Sequence, residues 1–228
     1  MARWLAKPPL RLKAIFEQMQ EIGYNSVPVV AITALSTGGV LALQSYIGFK
    51  RFGAESMVGT VVALSMTREL GPVLTSIMVA GRAGSAMAAE LGTMKVTEQI
   101  DALYTLSANP IKYLIVPRFI AATLMLPMLA VISDAVGIFG GALIGVGTLG
   151  ANPVVYMKKT FEFLELNDIY SGLFKSMIFG MIIAIVCCFQ GFKTEGGAEG
   201  VGRATTRSVV ISSILILVVD YVLTSFLF

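Results

Sequence analysis

Between Ile22 and Phe49 the chain runs for 28 residues without a charged side chain. A bilayer core about 30 Å thick is crossed by about 20 apolar helical residues, so this run can span a membrane with some tilt. Four more charge-poor blocks follow, at 56–81, 119–147, 173–192 and 208–228. They are interrupted only by Arg68 and Glu69, by Asp134, by Lys175 and by Asp220. Of the 228 residues 56% are apolar and 14% charged, against about 25% charged in a soluble domain. Backbone groups inside hydrocarbon must bond within their own segment, which makes such blocks helices. The expected fold is an all-α polytopic membrane protein with five transmembrane helices over 23–228. An interfacial amphipathic helix over 1–22 is expected to precede them.

What the sequence lacks narrows its chemistry. It has no histidine, so no imidazole serves as base, proton shuttle or metal ligand. Cys187 and Cys188 are adjacent inside an apolar run, which is neither a disulfide framework nor a zinc spacing. No metal site and no catalytic residue is expected. The net charge of +3 is too small to suggest nucleic acid as a partner. No G-x-x-x-x-G-K-[ST] occurs, so any ATP-driven work needs a separate ATPase polypeptide.

Residues 1–22 place Arg3, Lys7, Arg11 and Lys13 among Leu12, Ile15, Phe16, Met19 and Ile22 at helical spacing. This is the pattern of a basic helix lying in the headgroup region. With five spans, the N-terminus, the 82–118 segment and the 193–207 segment share one side and carry eleven Lys and Arg. The other side carries five, with Lys175 assigned there by snorkelling to the interface. The richer side is expected to be cytoplasmic, which places the C-terminus outside.

Three features stand out inside this frame. Arg68 and Glu69 sit in mid-span just before Gly71 and Pro72. A charge at the bilayer centre costs about 2.5–3.5 kcal/mol on insertion scales, so both need partners or a polar cavity. Asp134 and Asp220 are the expected countercharges. Either the group only fixes packing, or it lines the path of a polar-headed substrate. Gly137, Gly141 and Gly145, with Gly140, form a small-residue face for close packing within the chain or a dimer seam. In the segment 80–110, Val96, Ile100, Leu103 and Leu106 form an apolar stripe beside Lys95, Glu98 and Asp101. An amphipathic helix over 94–106 is predicted, stopped by Asn109–Pro110, which rests on lipid or docks into a soluble partner. The segments 148–172 and 193–207 read as a connector and a Gly-rich loop.

The run ALSMTRELGPVLTSIMVAGRAGSAMAAELGTMKVTEQIDAL at 63–103 strongly resembles the MlaE/YrbE family of permease subunits, found in MCE-associated ABC phospholipid transporters. GVGRATTRSVVISSILILVVDYVLT at 200–224, VPRF at 116–119 and VGIFGGALIGV at 136–146 extend the likeness over about 24–228. The resemblance implies a homodimer in the bacterial inner membrane. It implies an MlaF-like ATPase that holds ATP and Mg, an MlaB-like STAS protein and an external hexamer of MlaD-like MCE subunits. It also implies glycerophospholipid as cargo, moved between the inner and outer membranes to maintain outer-membrane lipid asymmetry. No cofactor is implied in this chain. Arg68, Glu69, Gly71, Pro72 and Asp220 would contact substrate in a cavity between protomers. Lys95, Glu98, Gln99, Asp101 and Leu103 would belong to a cytoplasmic coupling helix seated in the ATPase. Asp134 is not a charge the family pattern suggests.

Other classes remain at this stage. A proton- or ion-coupled secondary transporter would use Glu69, Asp134 and Asp220 as relay carboxylates. A lipid-modifying enzyme would have only carboxylates for its chemistry, and a passive scaffold for the ring would tolerate changes over 94–106.

Overall fold

Residues 11–227 are described by the computed structural model, and no strand occurs among them. Four helical runs are long and apolar enough to cross a membrane: Leu12–Lys50, Ile111–Gly147, Leu166–Phe192 and Gly197–Leu227. The first contains α1 (Leu12–Ile22), a short 3-10 turn over Tyr24–Ser26, and α2 (Val27–Lys50). The second expected block lies instead in a succession of short pieces. These are α3 (Val58–Ser65), a π turn over Met66–Leu70, α4 (Gly71–Val79), a second π turn over Ala80–Gly84, and α5 (Ser85–Val96). Then come α6 (Gln99–Thr105), a third π turn over Ile111–Ile115, α7 (Val116–Gly147), α8 (Pro153–Glu162), α9 (Leu166–Phe192) and α10 (Gly197–Leu227). The all-α polytopic architecture is as expected, and the borders of its elements move.

Each shift has a local cause. Asn109 does not stop a helix but starts one. Its Oδ1 accepts from the backbone N–H of Ile111 at 3.0 Å and of Lys112 at 3.4 Å, and Pro110 takes the first turn, where a missing N–H costs nothing. The third expected block therefore begins at Ile111 rather than near Phe119. Asn152–Pro153 does the same for α8, with Oδ1 accepting from Val154 at 3.0 Å and Val155 at 3.4 Å. The connector over 148–172 thus contains a helix and the first turns of α9. The predicted helix over 94–106 is broken. The structure ends α5 at Val96, gives Glu98 φ of +60°, and starts α6 at Gln99. Ile100 is buried while Leu106 is exposed, so the expected apolar stripe is not one face. The Gly-rich loop shrinks to 193–196. Gly200, Ala204, Ser208, Ser212 and Ile216, four apart, form the buried face of α10. The described part of the helix expected over 1–22 is α1, with Ile15 and Ile22 buried, and the part of that expectation over 1–10 lies outside the described residues.

Two compact units divide the chain. One comprises α1 and the turn after it, Ser76–Leu126 and Met177–Phe226. Leu91, Ile100, Leu114 and Cys188 form its core cluster. The Arg82 guanidinium ties the second π turn to α1. It donates to the Glu21 carbonyl and the Glu21 carboxylate, both at 2.8 Å, and to Ser26 Oγ at 3.1 Å. Arg118 is buried, donating to Leu114 O at 2.8 Å and to Glu90 at 2.7 Å.

The other unit comprises Val27–Thr75 and Pro127–Ser176. Ala34, Ala42, Val58, Val62, Met66 and Tyr156 make its core cluster. The small-residue face of α7 packs within the chain: Gly137 against Met66, Gly141 against Val62, Gly145 against the Tyr156 ring, and Gly140 against the backbone of Leu35. A side chain at any of these would hold the helices apart. α8 lies on α3 through buried Tyr156 and through Thr60, whose hydroxyl donates to Lys159 O at 2.9 Å.

Candidate functional site

The sequence RELGP dictates its own local distortion. Pro72 has no N–H, so the carbonyl four residues back, on Arg68, receives no helical bond from it. The backbone widens instead into the π turn Met66–Leu70, and the Gly71 N–H bonds to Met66 O. Such turns arise where a helix gives up regular bonding, frequently at functional sites. Here the carbonyl of Arg68 is taken by a side chain, Lys175 Nζ, at 3.1 Å. The same ammonium donates to Glu69 Oε2 at 2.7 Å. Arg68 Nε donates to Asp168 Oδ1 at 2.7 Å.

Asp168, Gly172 and Lys175 stand at i, i+4 and i+7 on α9, so one face presents a carboxylate, a gap and an ammonium. A Cβ at Gly172 would overlap Thr67 O and lie 3.3 Å from Pro72 Cγ, so α9 runs hard against the π turn between the two ion pairs. Gly71 has a comparable constraint from α7, because a Cβ there would overlap Asp134 Oδ1. That oxygen is buried with no hydrogen-bond partner among the described residues.

Exposure is divided unequally across the pairs. Asp168 and Lys175 side chains are 2% and 0% exposed, while Arg68 and Glu69 are 37% and 35% exposed. The buried partners on α9 fix position, and the π-turn partners retain accessible surface. The four charges sum to zero, which lowers the cost of placing them in a low-dielectric body.

The structure therefore joins Arg68, Glu69, Gly71 and Pro72 in one site, together with Asp134. The partners shown for Arg68 and Glu69 are Asp168 and Lys175, two residues the sequence did not single out as their countercharges. Asp220 lies on α10 in the other compact unit, where its carbonyl accepts from Thr224 Oγ1 at 2.9 Å. Lys175 does not snorkel; it is fully buried. Both omissions followed from starting the fourth block at Leu173. The signal that could have found them is the i, i+4, i+7 polar face of α9.

The residues expected to couple to a partner surround the α5–α6 elbow. Lys95 Nζ donates to both carboxylate oxygens of Asp101 at 3.0 Å, bridging the break. Leu103 packs beside buried Ile100. Glu98, Gln99, Asp101 and Tyr104 are exposed, which makes the elbow an accessible surface carrying charge, held by the apolar residues Ile100 and Leu103.

Residues 15–226 match the family Permease MlaE. A probable ABC transporter permease protein of Rickettsia typhi is 55% identical over 98% of this chain and 86% of its own length. The Arabidopsis thaliana chloroplastic protein trigalactosyldiacylglycerol 1 is 42% identical over 98% of this chain and 64% of its own length. The intermembrane phospholipid transport system permease protein MlaE of Haemophilus influenzae is 37% identical over 98% of this chain and 87% of its own length. With its RELGP turn locked by α9 inside an all-helical membrane body, this chain belongs to the MlaE permease family.

Proposed function

We propose that this chain is the permease of an ATP-driven transporter moving glycerophospholipid between the inner and outer membranes, which maintains outer-membrane lipid asymmetry. One observation carries the reading: in an apolar helical body, Arg68 and Glu69 keep about one third of their side-chain surface accessible while buried Asp168 and Lys175 hold them. A diacyl lipid has on the order of 30 methylenes at about 0.8 kcal/mol each, so carrying it through water costs about 24 kcal/mol. A permease must offer the tails an apolar route and the phosphate a polar contact. Arg68 is the phosphate contact, Glu69 meets cationic headgroups, Gly71 and Pro72 shape the same path, and Asp220 is a further substrate contact. A second copy of the chain completes the cavity.

The exposed elbow of Lys95, Glu98, Gln99, Asp101 and Leu103 docks an MlaF-like ATPase that binds ATP and Mg, accompanied by an MlaB-like STAS protein. An MlaD-like MCE hexamer receives or delivers lipid outside. Closure of the ATPase pair draws the elbows together and narrows the cavity. The elbow side is cytoplasmic, with the N-terminus, in the inner membrane, and the C-terminus is periplasmic. With Lys175 and Arg118 both buried, ten Lys and Arg on the elbow side face Lys50, Arg51, Lys158 and Lys159 on the other, so the charge asymmetry supporting this orientation is kept.

ATP-dependent lipid transfer between proteoliposomes carrying the whole complex tests the proposal. Arg68→Ala is expected to lower transfer about tenfold or more, the loss of one charge-assisted bond of about 1.5–3 kcal/mol. Unchanged transfer removes the cavity role. Transfer that needs no ATPase and stops with an uncoupler favours the ion-coupled rival, against which the Lys175–Glu69 bond already counts. Charge reversal at Glu98 and Asp101 is expected to abolish co-purification of the ATPase.

A further inference from the structure

We infer that the basic pocket between α9 and α10 binds the phosphate of an anionic membrane lipid, at residues outside the Arg68 cluster. The pocket encloses about 640 Å³, within the range of small-ligand clefts, about 300–1,000 Å³. Lys193, Arg203 and Arg207 line it, with Glu195 as the one acidic residue and Gln190 as a further donor. Lys193 Nζ stands 5.5 Å from the Phe189 ring centroid, and the ion pair shown for Arg203 is a loose, exposed one to Glu199 at 3.6 Å. Neither contact consumes these cations.

The floor distinguishes a lipid from a soluble anion or an acidic protein segment. Phe189 and Ile211 line the pocket on its apolar side. From them an exposed apolar strip continues along both helices, through Ile185 on α9 and Leu215 and Val218 on α10. Arg203, Arg207 and Ile211 stand four residues apart on α10, so one helix face passes from charge to hydrocarbon. An amphiphile fits that gradient: its phosphate lies between Lys193, Arg203 and Arg207, and its tails follow the strip. Basic pockets between membrane helices hold lipid headgroups through this combination. Bound there, the lipid bridges α9 to the start of α10 and stabilises the turn at Gly196 and Gly197, both at positive φ.

The test uses the full chain in nanodiscs and a phosphatidylglycerol probe bearing a photoreactive group beside its glycerol. The expected result is labelling within the Phe189–Ile211 region. Labelling should fall about fivefold for each of Arg203→Gln and Arg207→Gln, the equivalent of about 1 kcal/mol per cation. Arg203→Lys and Arg207→Lys keep most of it and control for folding. Unlabelled phosphatidylglycerol competes, whereas phosphatidylcholine and soluble glycerol phosphate do not. Labelling indifferent to charge overturns the inference, as does equal competition by phosphatidylcholine. Equal competition by glycerol phosphate shows an anion site instead of a lipid site. Absence of labelling in nanodiscs shows the pocket covered, by a second copy or by a partner, and equally refutes it. The readout is binding, so failure here leaves the transport proposal standing, and failure of transport leaves this site standing.

Discussion

Lys175→Met isolates what the buried ammonium contributes to the RELGP turn. Among the bonds the substitution removes are those to Glu69 Oε2 at 2.7 Å and to Arg68 O at 3.1 Å. A charge-assisted bond is worth about 1.5–3 kcal/mol and an orphaned carbonyl costs about 1–3 kcal/mol. Glu69 is 35% exposed and can be partly resolvated, so its share lies at the low end. A loss of about 2–4 kcal/mol is expected for Lys175→Met. Glu69→Leu leaves a buried ammonium still bonded to the Arg68 carbonyl, and is expected to cost about 2–4 kcal/mol as well. The double variant removes both charges. It should be less destabilised than the sum of the singles by at least about 1 kcal/mol. Unfolding by SDS titration in mixed micelles, read by pulse proteolysis, measures all three. Additivity within about 0.5 kcal/mol would refute the pairing as an energetic unit. Glu69→Gln separates packing from function, because its amide oxygen still accepts from Lys175. Near-native stability with reduced lipid transfer assigns the charge of Glu69 to the substrate.

Gly71→Ala should destabilise by about 1–3 kcal/mol, because its methyl overlaps Asp134 Oδ1 and approaches Met66 O at 2.7 Å. Asp134→Ala in the same chain should restore part of the loss in the same titration, and no restoration would place the strain elsewhere. Glu98→Gly should stabilise by up to about 1 kcal/mol, since Glu98 has φ of +60° and left-handed backbone costs a non-glycine residue about that much. Glu98→Val should lower stability, and the reverse order would show that the elbow is not strained. The Tyr156 hydroxyl is buried without a partner among the described residues, and burial pushes its pKa from 10.0 up to about 12. The folded state keeps the proton longer than the unfolded chain. Stability is therefore held below about pH 10 and falls as pH rises toward 12. Tyr156→Phe should flatten that fall without loss at neutral pH, as followed by unfolding at stepped pH.

The apolar runs were legible because hydropathy over 20 residues is set by composition, and no tertiary contact can reverse it. The helix ends were not, because the same residues have two readings. Asn109–Pro110 and Asn152–Pro153 are turn formers in sequence and helix starters in space, depending on which side the apolar pattern continues. Gly200 and Ala204 resemble a loop until Ser208 and Ser212 are seen to continue the same four-residue spacing. The break at Thr97–Glu98 lies inside a stripe that periodicity joins, and the left-handed residue there is not a glycine. Arg68 and Glu69 were visible as charges needing partners. The partners were not, because Asp168 and Lys175 were divided between a connector and a helix end. Only a 27-residue α9 starting at Leu166 places them on one face.

That arrangement bears on release as much as on binding. A lone intramembrane arginine would hold a phosphate in a low-dielectric site so tightly that cargo could not leave. Here Arg68 already has Asp168 at 2.7 Å, and Glu69 has Lys175 at 2.7 Å, so an arriving headgroup competes with charges in place. Its net gain is the difference between two ion pairs rather than the whole of one. On the proposed function, such a site trades affinity for exchange. Asp168→Asn then makes a counterintuitive prediction: lipid retained through purification rises, because the competing carboxylate is gone, while ATP-dependent transfer falls. Quantifying co-purified phospholipid by mass spectrometry beside transfer rates measures both, and a parallel fall in retention and transfer would show that Asp168 only holds the fold.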